Sequence, residues 1–132
     1  MITRIKSLPL SSYAEFKVDS RNNAAAESFL RRALEALLDL GRHILAKGFG
    51  KAVVEYKEIA DQLVKMEVLY QSEGDLLRKL AGYRNRLVHF YDEISEKELY
   101  EICSTKLDDI DTILNSILKW IENHPEKVNQ NL

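Results

Sequence analysis

Apolar residues recur along this chain at intervals of three and four, the spacing of helices with one buried face, in four successive stretches. The first starts at Asn23 and runs through AAAESFLRRALEALLDLGRHILAKG, with Ala26, Phe29, Leu30, Ala33, Leu37, Leu40, Ile44 and Leu45 on one side. Gly48, just after Lys47, predicts its end. A shorter helix comes next over Tyr56, Ile59, Ala60, Leu63, Val64 and Val68. Ser72 with Asp75 resembles a capping box and opens a third series, Leu76, Leu77, Leu80, Leu87, Val88 and Tyr91. Ser95 with Glu98 is a fuller box and starts the last helix, where Leu99, Ile102, Cys103, Ile110, Ile113, Leu114, Ile117 and Ile121 form a broad stripe ending near Asn123, before Pro125. Residues 1–22 show no clear period and read as an irregular lead-in; residues 124–132 read as a frayed polar tail.

Helices with single apolar faces and short connections pack most simply as an antiparallel bundle, so the pattern predicts an all-α domain spanning residues 1–132. The width of the last stripe leaves room for a homodimer face. Composition agrees: there are two prolines and five glycines among 132 residues, and 45% of the chain is apolar, enough for one core. No run of apolar residues is long enough to span a membrane, and neither a signal segment nor a cysteine pair is present, which fits a reducing cytoplasm. His43, His89, His124 and the lone Cys103 are too dispersed to suggest a metal site or any other cofactor, and Cys103 reads as a small core residue.

A formal charge of -2 excludes a chain coated in positive charge. Between Asp75 and Asp92, however, Arg78, Lys79, Arg84, Arg86 and His89 occur with no acidic residue among them. At about 100° per residue, Arg84 lies within roughly 60° of Leu77, Leu80, Leu87, Val88 and Tyr91, inside the apolar stripe. An unpaired buried charge costs several kcal/mol, so Arg84 must meet a carboxylate or face a groove that an anion such as phosphate can enter. Asn85 and His89 are four apart and flank the same stripe beside Arg84 and Tyr91. Arginine neutralises phosphate, histidine moves protons near neutrality, asparagine orients either, and tyrosine offers a hydroxyl. Together they suit phosphodiester cleavage without a metal, with Arg78, Lys79 and Arg86 positioning an RNA strand.

The string Arg84-Asn85-Arg86-Leu87-Val88-His89-Phe90-Tyr91 closely resembles the R-x4-H-x-Y signature of the HepT branch of the HEPN superfamily, with Asn following the Arg and Ile94 in the next segment. Upstream, AAAESFLRRALEALLDLGRHILAKGFG and YKEIADQLVKMEVL resemble that family's second helix and the segment after it, so the likeness covers roughly residues 16–121. It implies a HEPN bundle of four to five helices forming a homodimer, with the two motifs facing one cleft. It also implies an endoribonuclease toxin whose antitoxin is a small nucleotidyltransferase. Carried over by position, Arg84 and His89 are the catalytic pair, Asn85 the polar companion, and Tyr91 the hydroxyl that the antitoxin AMPylates. The chain departs from the pattern at its start, where the first bundle helix is short or missing. Two rivals belong to other classes: a non-catalytic HEPN subunit that binds a substrate or nucleotide and docks a nucleotidyltransferase, and a structural helical adaptor in which Arg84 is paired internally.

Overall fold

A computed structural model describes residues 2–89 and 94–128. Among the described residues, eight helical segments succeed one another: α1 (Ile2–Lys6), α2 (Tyr13–Val18), α3 (Ser20–Phe49), α4 (Tyr56–Lys65), α5 (Gln71–His89), α6 (Glu96–Thr105), α7 (Leu107–Asn123) and α8 (Pro125–Val128). With 30 residues, α3 is about 45 Å long, and all seven other segments pack against it. Its buried residues include Leu30, Leu34, Leu38, Ile44 and Leu45. They meet Ile59 and Leu63 of α4, Leu77 and Leu80 of α5, Leu99 of α6, and Ile113 and Ile117 of α7 in one core. Cys103 belongs to that core, and burial pushes its thiol up to about 12.

The expected bundle is present, divided into more segments than its sequence periods suggest. The lead-in is helical rather than irregular. Ser12 caps α2 by accepting from the Glu15 N–H, and Asp19 caps α3 by accepting from the Arg21 N–H. Five- and six-residue helices are too short to display a period, and tertiary contacts hold them instead. Ile5 and Phe16 are fully buried, and the Tyr100 ring lies 5.5 Å from both Tyr13 and Phe16. The Tyr100 hydroxyl donates to the Leu10 carbonyl.

Helix ends account for the other differences. The glycine that terminates α3 is Gly50, not Gly48; at φ 64° it occupies the left-handed region, and its N–H reaches the Ala46 carbonyl. The Ser72–Asp75 box does not form: α5 begins earlier, Glu73 accepts from the Tyr70 N–H, and Asp75 accepts from Gln71. Ser95 does cap α6. The single last helix is two, parted at Lys106, where Ser104 and Thr105 both turn their hydroxyls back on the Glu101 carbonyl and compete with the helical ladder. The part of the tail that the structure describes is helical, as α8, with Pro125 at its first position and Lys127 over the Phe49 ring at 4.9 Å; residues 129–132 lie outside the described residues.

The packing of α4 against α5 positions the site. Gly74 sits in that contact, where a Cβ would overlap Val64 Cγ2, so the two helices approach as only a glycine allows.

Candidate functional site

The residues of α5 that face the core are Leu77, Leu80 and Leu87, and Arg84 leaves the helix on the same side. Its side chain is 19% exposed, so the guanidinium requires a counter-charge, and α3 supplies one in Glu35. Arg84 Nε and Nη2 both donate to Glu35 Oε2, at 3.1 and 2.9 Å. The other carboxylate oxygen accepts from Arg31 Nη1 at 2.8 Å. Arg84 Nη1 donates to Asn85 Oδ1 at 3.3 Å, and the guanidinium carbon stands 4.5 Å from the centre of the Tyr56 ring. Of five guanidinium N–H groups, three are used in these bonds, leaving two directions without a partner among the described residues.

Tyr56 opens α4 and is held from the far side by Arg42. That arginine donates through Nε to the Val53 carbonyl and through Nη2 to the Val54 carbonyl, which fixes the α3–α4 connection. Its Nη1 meets Asp39, which also accepts from the Tyr56 hydroxyl at 3.1 Å. Burial first, then the Asp39 acceptor, raises the Tyr56 hydroxyl above its ordinary value and keeps it a donor.

Arg84, Asn85 and His89 line one open groove of about 490 Å³, together with Arg42, Tyr56 and Lys57. Among the described residues its lining bears one carboxylate, Glu55, against three cationic side chains and a histidine. His89 is exposed at the last position of α5. The two possibilities open for Arg84 are therefore both realised: it meets a carboxylate and it faces a groove. A larger depression of about 680 Å³ lies elsewhere, between α7 and the α4–α5 connection, and has neither arginine nor histidine in its lining. The smaller groove is the better anion site on chemistry.

The three residues expected to position a strand lie together along a second, shallow depression, with Arg78 paired to Asp61 at 2.7 Å and Arg86 paired through two bonds to Glu98 at 2.6 and 2.9 Å. Lys79 is exposed and makes no ion pair among the described residues. Tyr91 lies outside the described residues. Among those described, no three His, Cys, Asp or Glu side chains gather closely enough to hold a metal ion, and no helix is long and apolar enough to cross a membrane. Sequence reasoning missed Glu35, Tyr56, Arg42 and Lys57. The need for a carboxylate opposite Arg84 was legible, but nothing local pairs Arg84 with a residue 49 positions earlier.

The model of a family described as HepT-like, Ribonuclease HepT-like, matches residues 1–117. Over 89 residues the chain is 33% identical to the Putative RNase YutE of Bacillus subtilis, covering 65% of this chain and 62% of that protein. Over 96 residues it is 27% identical to the tRNA nuclease HepT of Aphanizomenon flos-aquae, covering 72% and 65%. The chain thus spans just under two thirds of the length of these relatives. Among solved structures, it is similar to a tri-AMPylated Shewanella oneidensis HEPN toxin in complex with MNT antitoxin, with a TM-score of 0.78, 24% identity, and 89% and 88% of the two chains covered. A structure of YutE from Bacillus subtilis gives a TM-score of 0.74 at 24% identity, covering 92% and 83%. These structural likenesses show a shared bundle fold.

Proposed function

The chain belongs to the HepT-like ribonuclease family, and from that premise we propose that it is a metal-independent endoribonuclease with Arg84 and His89 as its catalytic pair. The observation that carries the reading is the convergence of Arg84, Asn85 and His89 on one open, cationic groove. In the proposed step an RNA 2'-hydroxyl attacks the adjacent phosphorus, the new O–P bond forms as the bond to the 5'-oxygen breaks, and a 2',3'-cyclic phosphate results. One proton leaves the 2'-hydroxyl and another reaches the departing 5'-oxygen. His89 serves one of these transfers, and the His89 of a second copy in a homodimer serves the other. The two uncommitted N–H directions of Arg84 take the charge developing on the phosphoryl oxygens, and Asn85 steadies the guanidinium. Arg78, Lys79 and Arg86 position the strand.

The partner in this reading is a nucleotidyltransferase antitoxin that transfers AMP to Tyr91. A phosphate placed close to Arg84 would occupy the anion groove and block RNA. The similarity to a tri-AMPylated toxin bound to an MNT antitoxin supports this. Co-expression with such a transferase is expected to add the mass of AMP, and Tyr91→Phe to abolish the addition.

Incubation with mixed RNA in EDTA, beside His89→Ala, tests the activity. Cleavage by the wild type alone, leaving cyclic phosphate ends, is expected; products ending in 3'-hydroxyl would overturn the metal-free mechanism. One observation favours a second reading. The pairing of Arg84 with Glu35 is what a structural helical adaptor would show, and there Arg84→Ala would lose stability with no effect on RNA.

A further inference from the structure

The Arg84–His89 groove and the shallow depression bearing Arg78, Lys79 and Arg86 have one lining residue in common, Lys57. Lys57 lies in the first turn of α4 and is exposed. The Lys57 Cε lies 3.8 Å, an ordinary contact distance, from where a Cβ on Gly82 would stand, so the aliphatic stem passes over α5 at a residue with no side chain. A larger residue at 82 would lift the stem away or separate the two depressions. Lys57 and Lys79 make no ion pair among the described residues, whereas Arg78 and Arg86 are held by Asp61 and Glu98. Two lysines thus offer charge outside any ion pair along a path otherwise lined by neutralised arginines, with Asp75 the only carboxylate among the described residues that line the depression.

We propose that Lys57 binds a backbone phosphate of the RNA strand as it passes over Gly82, from the Arg84–His89 groove to a second phosphate contact at Lys79. The inference rests on the ribonuclease reading for its ligand and adds the direction in which the strand leaves the site. Arg78 and His89 are eleven residues apart on one helix, about 16 Å along its axis, so the track holds a short single-stranded segment rather than one nucleotide. Phosphate contacts of this kind position the strand without reading its sequence.

The test is binding of a 2'-O-methyl oligouridylate of about twelve nucleotides, within the usual footprint of single-strand sites, whose blocked hydroxyls prevent cleavage. Affinity is measured across a salt series for the full chain and for Lys57→Ala, Lys79→Ala and Lys65→Ala. Lys65 is an exposed lysine at the opposite end of α4 and lines neither depression. Each contact to a single strand contributes about 0.7 to the salt slope, so Lys57→Ala and Lys79→Ala are each expected to reduce the slope by about 0.7 and affinity about fivefold at roughly 0.1 M salt. Their effects should add, and Lys65→Ala should bind as the wild type does. Gly82→Glu, which sets a carboxylate beneath the Lys57 stem, is expected to weaken binding at least as much as Lys57→Ala. A Lys57→Ala effect no larger than that of Lys65→Ala, or no binding by the wild type, overturns the track. Cleavage of unmodified RNA is measured in parallel: a chain that binds through Lys57 without cutting keeps the track and loses the nuclease, and one that cuts without needing Lys57 does the reverse.

Discussion

Arg84 and Arg86 leave α5 two residues apart, and each ends on a glutamate of another helix, yet the two pairs are built differently. Arg86 meets Glu98 fork to fork, with Nη1 and Nη2 on separate oxygens, and the partners are 35% and 34% exposed. Arg84 places two donors on one oxygen of Glu35, whose other oxygen belongs to Arg31, and the pair is 19% and 23% exposed. The first arrangement joins α5 to α6 at the surface. The second holds a guanidinium in place while leaving part of it turned to a groove, with the Tyr56 ring and Asn85 fixing its remaining freedom. One helix thus carries the same residue type as a brace and as a positioned cation, and the difference lies in how the carboxylate is shared.

Removing each arginine in turn is the sharpest way to separate the roles. Arg84→Ala is expected to lower RNA cleavage by about 10² to 10³, the usual loss when one preorganised charge-stabilising donor is removed. Arg84→Lys should recover little, because an ammonium cannot hold Glu35 with two bonds and present further planar donors. Arg86→Ala should change the rate only severalfold, through strand positioning. Equal losses in single-turnover cleavage would break the distinction between the two arginines. His89→Ala is expected to match Arg84→Ala or exceed it, at about 10² to 10⁴, with a smaller loss of thermal stability than Arg84→Ala, since that side chain is exposed.

Stability separates them next. Arg84→Ala leaves Glu35 partly buried with one of its two cationic partners gone, and should destabilise the fold by about 1 to 3 kcal/mol in urea unfolding. Gly74→Ala is the control toward the other end of α5. Its Cβ would overlap Val64, so α4 and α5 must shift, with a similar expected loss of about 1 to 3 kcal/mol. Cleavage per folded molecule should fall less in Gly74→Ala than in Arg84→Ala. If Gly74→Ala abolished cleavage as well, the groove would depend on α4–α5 packing more than on the Arg84–Glu35 pair.

Much of this was legible in the chain. Periods of three and four over Ala26 to Leu45, Leu77 to Leu87 and Ile110 to Ile117 predict helices that the structure contains, because long amphipathic segments repeat often enough to be recognised. The motif residues Arg84, Asn85 and His89 fall on one helix, and the i,i+4 spacing of Asn85 and His89 places those two side by side. The other side of that groove did not follow. Glu35, Tyr56 and Lys57 come from α3 and α4, and the close approach of α4 to α5 at Gly74 is one that no local pattern encodes. The two N-terminal helices were hidden for another reason: Ser12 three residues before Glu15 is a capping signature, but only packing of Phe16 and Ile5 shows that six residues suffice.

The smallest effect expected concerns the surface brace and its pH dependence. The hydrogen bonds from Arg86, chiefly, hold the Glu98 carboxyl below its ordinary value of 4.5, against an opposing contribution from burial and with some help from the nearby positive charge. A carboxylate depressed in the folded state contributes stability above its unfolded value and loses that contribution as pH falls through the lower folded one. The stability difference between wild type and Arg86→Ala should therefore be constant near neutrality and shrink below about pH 4.5. With both partners about a third exposed, solvent screening limits it to under about 1 kcal/mol, and added salt should reduce it further. Urea titrations at several pH values would show this convergence. A difference that persisted undiminished in acid would mean that Arg86 stabilises the fold through packing of its stem rather than through Glu98, and the contrast with Arg84 would then rest on burial instead of on how each carboxylate is shared.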